Sequence, residues 1–230
     1  IEFVVAQWKK EEIQEGFLVS GILIPMIVPV DCPLWILAVA TAFSVIFAKE
    51  VFGGTGMNVF NVALITRAFL FFAYPTKMSG DAVWVSGDSI FGLGQSVDGL
   101  TVATPLGAAA TSGAVPEFSW DMVTGLIPGS IGETSVIAIA LGAILLLWTG
   151  VASWKTMFSV FAGGIVMGLI FNVFGSTDNM MAQLPWYEHI VLGGFCFGAV
   201  FMATDPVTSA RTETGKYIFG FLIGAMAIII

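Results

Sequence analysis

Residues able to do chemistry gather at a few places along the chain. The string Asp98-Gly99-Leu100-Thr101-Val102-Ala103-Thr104-Pro105-Leu106 sets hydroxyls among small residues. A threonine hydroxyl takes up a phosphoryl group only where an enzyme can reach it, so an acceptor belongs on an exposed turn of small side chains. By composition alone the string reads as a loop. The stretch from Lys49 to Asn61 differs, because Gly53, Gly54 and Gly56 permit backbone conformations closed to other residues. The helix that follows offers unpaired N–H groups and a partial positive charge. The turn, with Asn58, is therefore a candidate to face a flavin or an anion, or else a tight turn that lets two helices pack. It is not a P-loop, since no Gly-Lys-Ser/Thr follows, and no strand precedes it as a dinucleotide fingerprint requires.

Arg67 lies inside an apolar run beside Ala68, Phe69, Leu70, Phe71 and Phe72. A cation at membrane depth faces a protein interior, a cavity or a partner, which leaves a structural ion pair and a cofactor or pathway role as the alternatives. Glu133 and Asp205 are weaker candidates for an ion path. Glu133 at a helix start reads as a dipole partner, and Asp205 before Pro206 as a helix stop. His189 beside Glu188 at a membrane boundary reads as a solvated histidine. Cys32 and Cys196 stand alone, with no CxxC or Cys/His spacing, so neither a metal site nor a disulfide is expected. No catalytic residue is assigned.

The elements that must position these residues are apolar. The 230 residues are 57% hydrophobic and 10% charged, far from the roughly 25% charged content of a soluble domain. The bilayer is the solvent these figures imply. Apolar runs at about 17–30, 33–48, 57–75, 134–151, 156–174, 189–204 and 217–230 predict seven helical segments in an all-α, polytopic membrane protein. Several are shorter than the roughly 20 residues that cross the hydrocarbon squarely, so they borrow flanking residues or are broken helices. Trp35, Tyr74, Trp154, Trp186 and Tyr217 near segment ends fit interface belts. The first residue is Ile and the last three, Ile228 to Ile230, sit in a hydrophobic run, so the chain reads as an internal segment forming one integral membrane domain over 1–230. The formal charge of −8 comes from 16 acidic residues scattered in loops, and no nucleic-acid partner is inferred from it.

Basic residues set the expected topology, because Lys and Arg accumulate in cytoplasmic loops. With a cytoplasmic start, Lys9, Lys10, Lys49, Lys155, Arg211 and Lys216 fall inside and only Lys77 outside. The connection over about 76–133 is then extracytoplasmic. Loops of that length without obvious secondary structure are usually functional or disordered, and this one is expected to be the functional loop.

The string at 98–106 resembles the flavin-attachment motif of membrane redox subunits, in which an aspartate precedes the acceptor threonine by six residues in a Ser/Thr-x-Ala-Thr setting. Thr104 matches the acceptor, with Asp98, Gly99, Thr101 and Ala103 as the surrounding string, and Val102 stands where glycine is frequent. KEVFGGTG at 49–56, RAFLFFAYP at 67–75, MSGDAVW at 78–84, GSIGETS at 129–135 and ATDPVTSARTETGKY at 203–217 extend the likeness over almost the whole chain. Together they resemble the B subunits of sodium-translocating NADH:quinone oxidoreductases. The sister D subunits of Rnf ferredoxin:NAD oxidoreductases share the glycine turn and flavin string, but the FFAYP and MSGDAVW segments favour the quinone reductases.

The resemblance implies a urea-channel-like bundle of ten helices in inverted halves, seven of them visible here. It implies FMN esterified through its phosphate to Thr104 by a flavin transferase, a second, non-covalent flavin (riboflavin), quinone as substrate and sodium as the exported ion. Gly53, Gly54, Asn58 and Arg67 are the further cofactor-binding candidates. Five other subunits (A, C, D, E and F), the bacterial inner membrane and an extracytoplasmic flavin loop are implied in the same way. Besides the Rnf-type reading, a passive solute channel of similar architecture is the alternative of another class.

Overall fold

The computed structural model describes residues 1–10, 12, 16–30, 32–78, 84–85, 101–102, 104–112, 116–176 and 180–230. Asp98, Gly99 and Ala103 lie outside the described residues, as does most of the segment between Met78 and Thr101.

All seven apolar runs contain helix. In chain order the helices are α1 (Glu2–Lys9), α2 (Gly16–Met26), α3 (Leu34–Ala48), α4 (Val62–Ala73), α5 (Pro105–Ser112), α6 (Asp121–Thr124), α7 (Val136–Trp148), α8 (Trp154–Phe174), α9 (Met180–Gln183), α10 (Trp186–Val191), α11 (Phe195–Phe197) and α12 (Glu213–Ile229). Among the described residues two stretches, Leu34–Phe52 and Trp154–Phe174, are long and apolar enough to cross a membrane unaided. Large apolar side chains face outward on many of these helices, with Trp8, Leu34, Phe72, Trp148 and Phe174 all more than four-fifths exposed. An apolar exterior on this scale suits hydrocarbon surroundings rather than water. Trp35 meets Tyr74 edge-on at 6.0 Å and Trp154 meets Tyr217 at 6.5 Å, pairing the expected interface residues.

Three boundaries differ from the sequence expectation. The run at 17–30 is helical only to Met26, because Pro25 and Pro29 remove the N–H groups that would continue the ladder. The run at 57–75 becomes helix only at Val62, where Asn61 caps it; residues 57–61 belong to the glycine turn. The run at 189–204 is broken. α10 ends before Leu192, Gly193 and Gly194 adopt φ of 69° and 76°, and the chain resumes as α11 and a π-helical turn over Gly198–Met202. Non-helical backbone at this depth is tolerated only where protein surrounds it or a cavity meets it.

Close packing of α8 on α12 forms the firmest contact of the bundle. Gly163 and Gly168 of α8 and Gly220 and Gly224 of α12 are buried. A methyl group added at Gly224 would run into the Val160 carbonyl, and one at Gly220 would lie 2.6 Å from the Thr156 carbonyl oxygen. Small residues here bring backbones within reach, so Ser159 Oγ donates to the Tyr217 carbonyl across the interface.

The 76–133 connection is not the structureless loop expected. It contains α5, α6 and a two-residue antiparallel ladder pairing β1 (Trp84–Val85) with β2 (Thr101–Val102). The ladder ends two residues before Thr104.

Candidate functional site

Thr104 opens α5. Its Oγ accepts a hydrogen bond from the Gly107 amide at 3.1 Å, which satisfies one of the orphan N–H groups of the first turn. Pro105 occupies the first helical position, where its missing N–H costs nothing. The hydroxyl therefore sits at the positive end of an eight-residue helix, half-buried, and acts as an acceptor among the described contacts. An ester at this oxygen replaces only its proton and keeps the bond from Gly107. The phosphate oxygens of such an ester would lie where helix N–H groups and the helix dipole favour negative charge. Of the attachment string, Thr101 falls in β2 while Asp98, Gly99 and Ala103 are outside the described residues.

α5 is anchored on the broken helix. A methyl group at Gly193 would collide with Leu106 Cδ1, two residues after Thr104, and one at Gly194 would lie 2.6 Å from Glu133 Cδ. Behind the glycine pair lies the partner of Arg67. Its guanidinium Nη1 donates to Glu133 Oε1 and to the Ile27 carbonyl at 2.9 Å, just past the end of α2. Buried Ser130 donates to Glu133 Oε2 at 2.8 Å, and Gly132 N donates to the Met26 carbonyl at 3.0 Å. Four stretches of chain thus converge on one ion pair, and the structural alternative for Arg67 is what the geometry contains. The hydrogen-bonding cap of α7 is Ser135, which accepts from Ala138 N at 3.3 Å, while the Glu133 carboxylate is engaged by Arg67 and Ser130.

At the other end of the bundle the glycine turn shapes a cavity. Gly53, Gly54 and Gly56 have φ of 121°, 93° and 89°, so each carries the left-handed conformation that favours glycine. The turn delivers Asn58 and Asn61 to the segment after the π turn. Asn61 Nδ2 donates to Asp205 Oδ2 at 3.2 Å, and Asp205 also accepts from Val207 N and Thr208 Oγ1, both at 3.0 Å. Asn61 Oδ1 accepts from Ala63 N and Leu64 N, which satisfies two amides of the α4 terminus. A cavity of about 340 Å³ is walled by Thr55, Asn58, Asn61, Thr204, Asp205 and apolar residues including Phe201. Asn58 Oδ1 is buried there without a hydrogen-bond partner among the described residues. Gly53 and Gly54 shape this turn but do not line the cavity. Lys49, 1% exposed, reaches the same cavity and pairs with Glu2 at 2.7 Å, while Lys9 pairs with Glu50 at 3.1 Å.

His189 is not solvated as the sequence suggested. It is buried on α10, its Cδ2 close over Gly168 of α8, because that glycine lets the short helix approach. Its neighbour Glu188 is 2% exposed, with Oε2 buried and unpartnered. No sequence pattern marked this carboxylate. Cys32 and Cys196 are both buried, and among the described residues no cluster of three or more His, Cys, Asp or Glu could hold a metal.

The model of the NQR2, RnfD, RnfE family matches residues 1–230. A relative from Chromohalobacter salexigens, named as the B subunit of a Na(+)-translocating NADH-quinone reductase, is 48% identical over 233 residues, covering 100% of this chain and 54% of the relative. The protein of the same name from Ectopseudomonas mendocina is 48% identical over 234 residues, with 100% and 56% covered. That from Pseudomonas aeruginosa is 46% identical over 234 residues, with 100% of this chain and 56% of the relative covered. The chain spans about half the length of the curated relatives it matches. With its whole length matched and nearly half its residues identical to these relatives, the chain belongs to the NQR2, RnfD and RnfE family.

Proposed function

We propose that this chain is the membrane core of the B subunit of a sodium-translocating NADH:quinone reductase, with FMN joined through its phosphate to Thr104. The observation that carries the reading is the placement of the Thr104 oxygen at the capped start of α5, on the connection between α4 and α7. The flavin supplies electron transfer when bound; the chain supplies position and electrostatics. Thr104 holds the tether, Gly107 N steadies the ester oxygen, and Leu106 against Gly193 docks the carrier helix on the bundle. The Arg67–Glu133 pair then holds together the α2 end, the 130–133 segment and the glycine break beneath that helix.

The cavity at the opposite end suits a second, non-covalent flavin. Its volume, the aromatic Phe201 and the unpartnered Asn58 carbonyl oxygen fit a flat ring system bearing hydrogen-bond donors and acceptors. Electron relay toward quinone, coupling to sodium export, the six-subunit complex, the flavin transferase and the ten-helix inverted-repeat architecture belong to this reading. So do the inner bacterial membrane and an extracytoplasmic position for Thr104. The relatives' names favour the quinone reductase over the Rnf-type subunit, and family membership argues against a passive channel.

The intact mass of the native full-length subunit tests the proposal. An added FMN, less one water, is expected; a bare polypeptide mass would overturn it.

A further inference from the structure

A second and larger cavity, about 780 Å³, opens beside the Asn58–Asp205 cavity and shares Val151, Ala152, Thr204 and Pro206 with it. Three cations line it, Lys155 at the start of α8, Arg211, and Lys216 in the first turn of α12. One carboxylate answers them. Glu213 pairs with Lys155 and, at 2.8 Å, with Lys216, so it is shared between two lysines. Arg211 is exposed and makes no ion pair among the described residues. The cavity therefore keeps an excess of positive charge. The rest of its lining mixes the hydroxyls of Ser153, Thr204 and Ser209 with apolar residues, of which Leu147, Val151 and Trp154 are exposed to the surroundings, and Trp154 carries Lys155 Nζ 5.8 Å from its ring centroid. Below the rim, Ile218 and Leu222 of α12 and Phe158 of α8 are more than half exposed.

We propose that this cavity binds the phosphodiester headgroup of an anionic phospholipid, with Arg211 and Lys216 on the phosphate and the acyl chains along α8 and α12. Two features select a lipid over other anions. The charge excess sits at the end of apolar helices, where Trp154 and Tyr217 pair as interface residues do, at the depth of a headgroup. The exposed apolar faces continue from the same rim, so one molecule satisfies both charge and surface. Arg211 supplies the planar fork that matches phosphate oxygens bidentately. Neither Thr104 nor Arg67 lines this cavity, so the lipid site is separate from the covalent flavin assignment, and it meets the cavity proposed for the second flavin only along the four shared residues.

The test uses the full-length subunit in its assembled complex, in phosphatidylcholine nanodiscs doped with phosphatidylglycerol. Lipid retained on release is read by native mass spectrometry. The wild type is expected to retain phosphatidylglycerol in preference to phosphatidylcholine. Arg211→Gln with Lys216→Gln should lower that retention roughly thirtyfold, whereas Arg211→Lys, which keeps the charge but loses the bidentate fork, should fall between that and the wild type, and Lys77→Gln should keep all of it. Inorganic phosphate added in excess should not displace the lipid. Displacement by phosphate would assign the cavity to free anions and overturn the proposal. Unchanged retention in the double variant, or no preference in the wild type, would overturn it too and leave the cations for an acidic segment of a partner subunit.

Discussion

Arg67 and Glu133 lie 66 positions apart and meet as one ion pair at the point where α2 ends and the α10–α11 helix breaks. The pair helps the α2 interruption to be tolerated, since an interruption leaves backbone groups that must find partners inside the bundle. Ile27 finds one in Arg67.

Removing one member should destabilise the bundle. Arg67→Leu leaves Glu133 with only Ser130, and loss of a buried pair's partner costs about 3–5 kcal/mol, nearer the low end here because Arg67 keeps a third of its side chain exposed. Thermal unfolding of the solubilised complex should show this loss for Arg67→Leu and for Glu133→Leu alike. The double variant should lose less than the sum, and strict additivity would show that the two residues are not coupled.

Thr104→Val should abolish in-gel flavin fluorescence of the subunit while leaving its insertion intact, since the change removes an oxygen and a cap worth about 1 kcal/mol. Thr104→Ser should restore both oxygen and cap. Thr101→Val, within the string but not the acceptor, should lower loading, and Thr111→Val should leave it unchanged. Wild-type fluorescence in Thr104→Val would place the ester elsewhere.

In the cavity proposed for a second flavin, Asn58→Leu removes the buried carbonyl oxygen that lacks a partner among the described residues. Flavin released by acid from the purified complex should fall, whereas flavin retained on the polypeptide should not. A parallel loss of both would show that the variant disturbs the fold rather than the cavity.

Packing of α8 on α12 makes a prediction that involves no cofactor. Gly224→Ala drives a methyl into the Val160 carbonyl, and overpacking of this kind costs about 1–3 kcal/mol or more. Subunit yield should drop. Gly21→Ala, with nothing near the added carbon, should match the wild type.

Orientation is open to a labelling experiment. A cysteine at Ser89 should react with a membrane-impermeant thiol reagent in intact spheroplasts, and one at Ser209 should not. Both native cysteines are buried, so background is low. Equal labelling at the two sites would reverse the reading drawn from the basic residues.

The sequence by itself determined the class of environment and the helices, because apolar content and run length respond to the solvent, not to tertiary detail. All seven runs contain helix, and the basic residues Lys9, Lys49, Lys155, Arg211 and Lys216 do gather at one end around the two cavities and α1. Thr104 was legible as an acceptor only through its string, although threonine directly before Pro105 is also a helix-start signal. Tertiary structure alone decided the rest. Which acid answers Arg67 could not be read locally, since Glu133 lies in a different segment and its position before α7 suggested a dipole role rather than an ion pair. His189 and Glu188 sit at a run boundary, yet Gly168 on a neighbouring helix buries the histidine. The apolar run at 189–204 hid a break because Gly193 and Gly194 are as compatible with a packed helix as with a left-handed turn. Leu106 and Glu133, pressed against those glycines from distant parts of the chain, decide between the two.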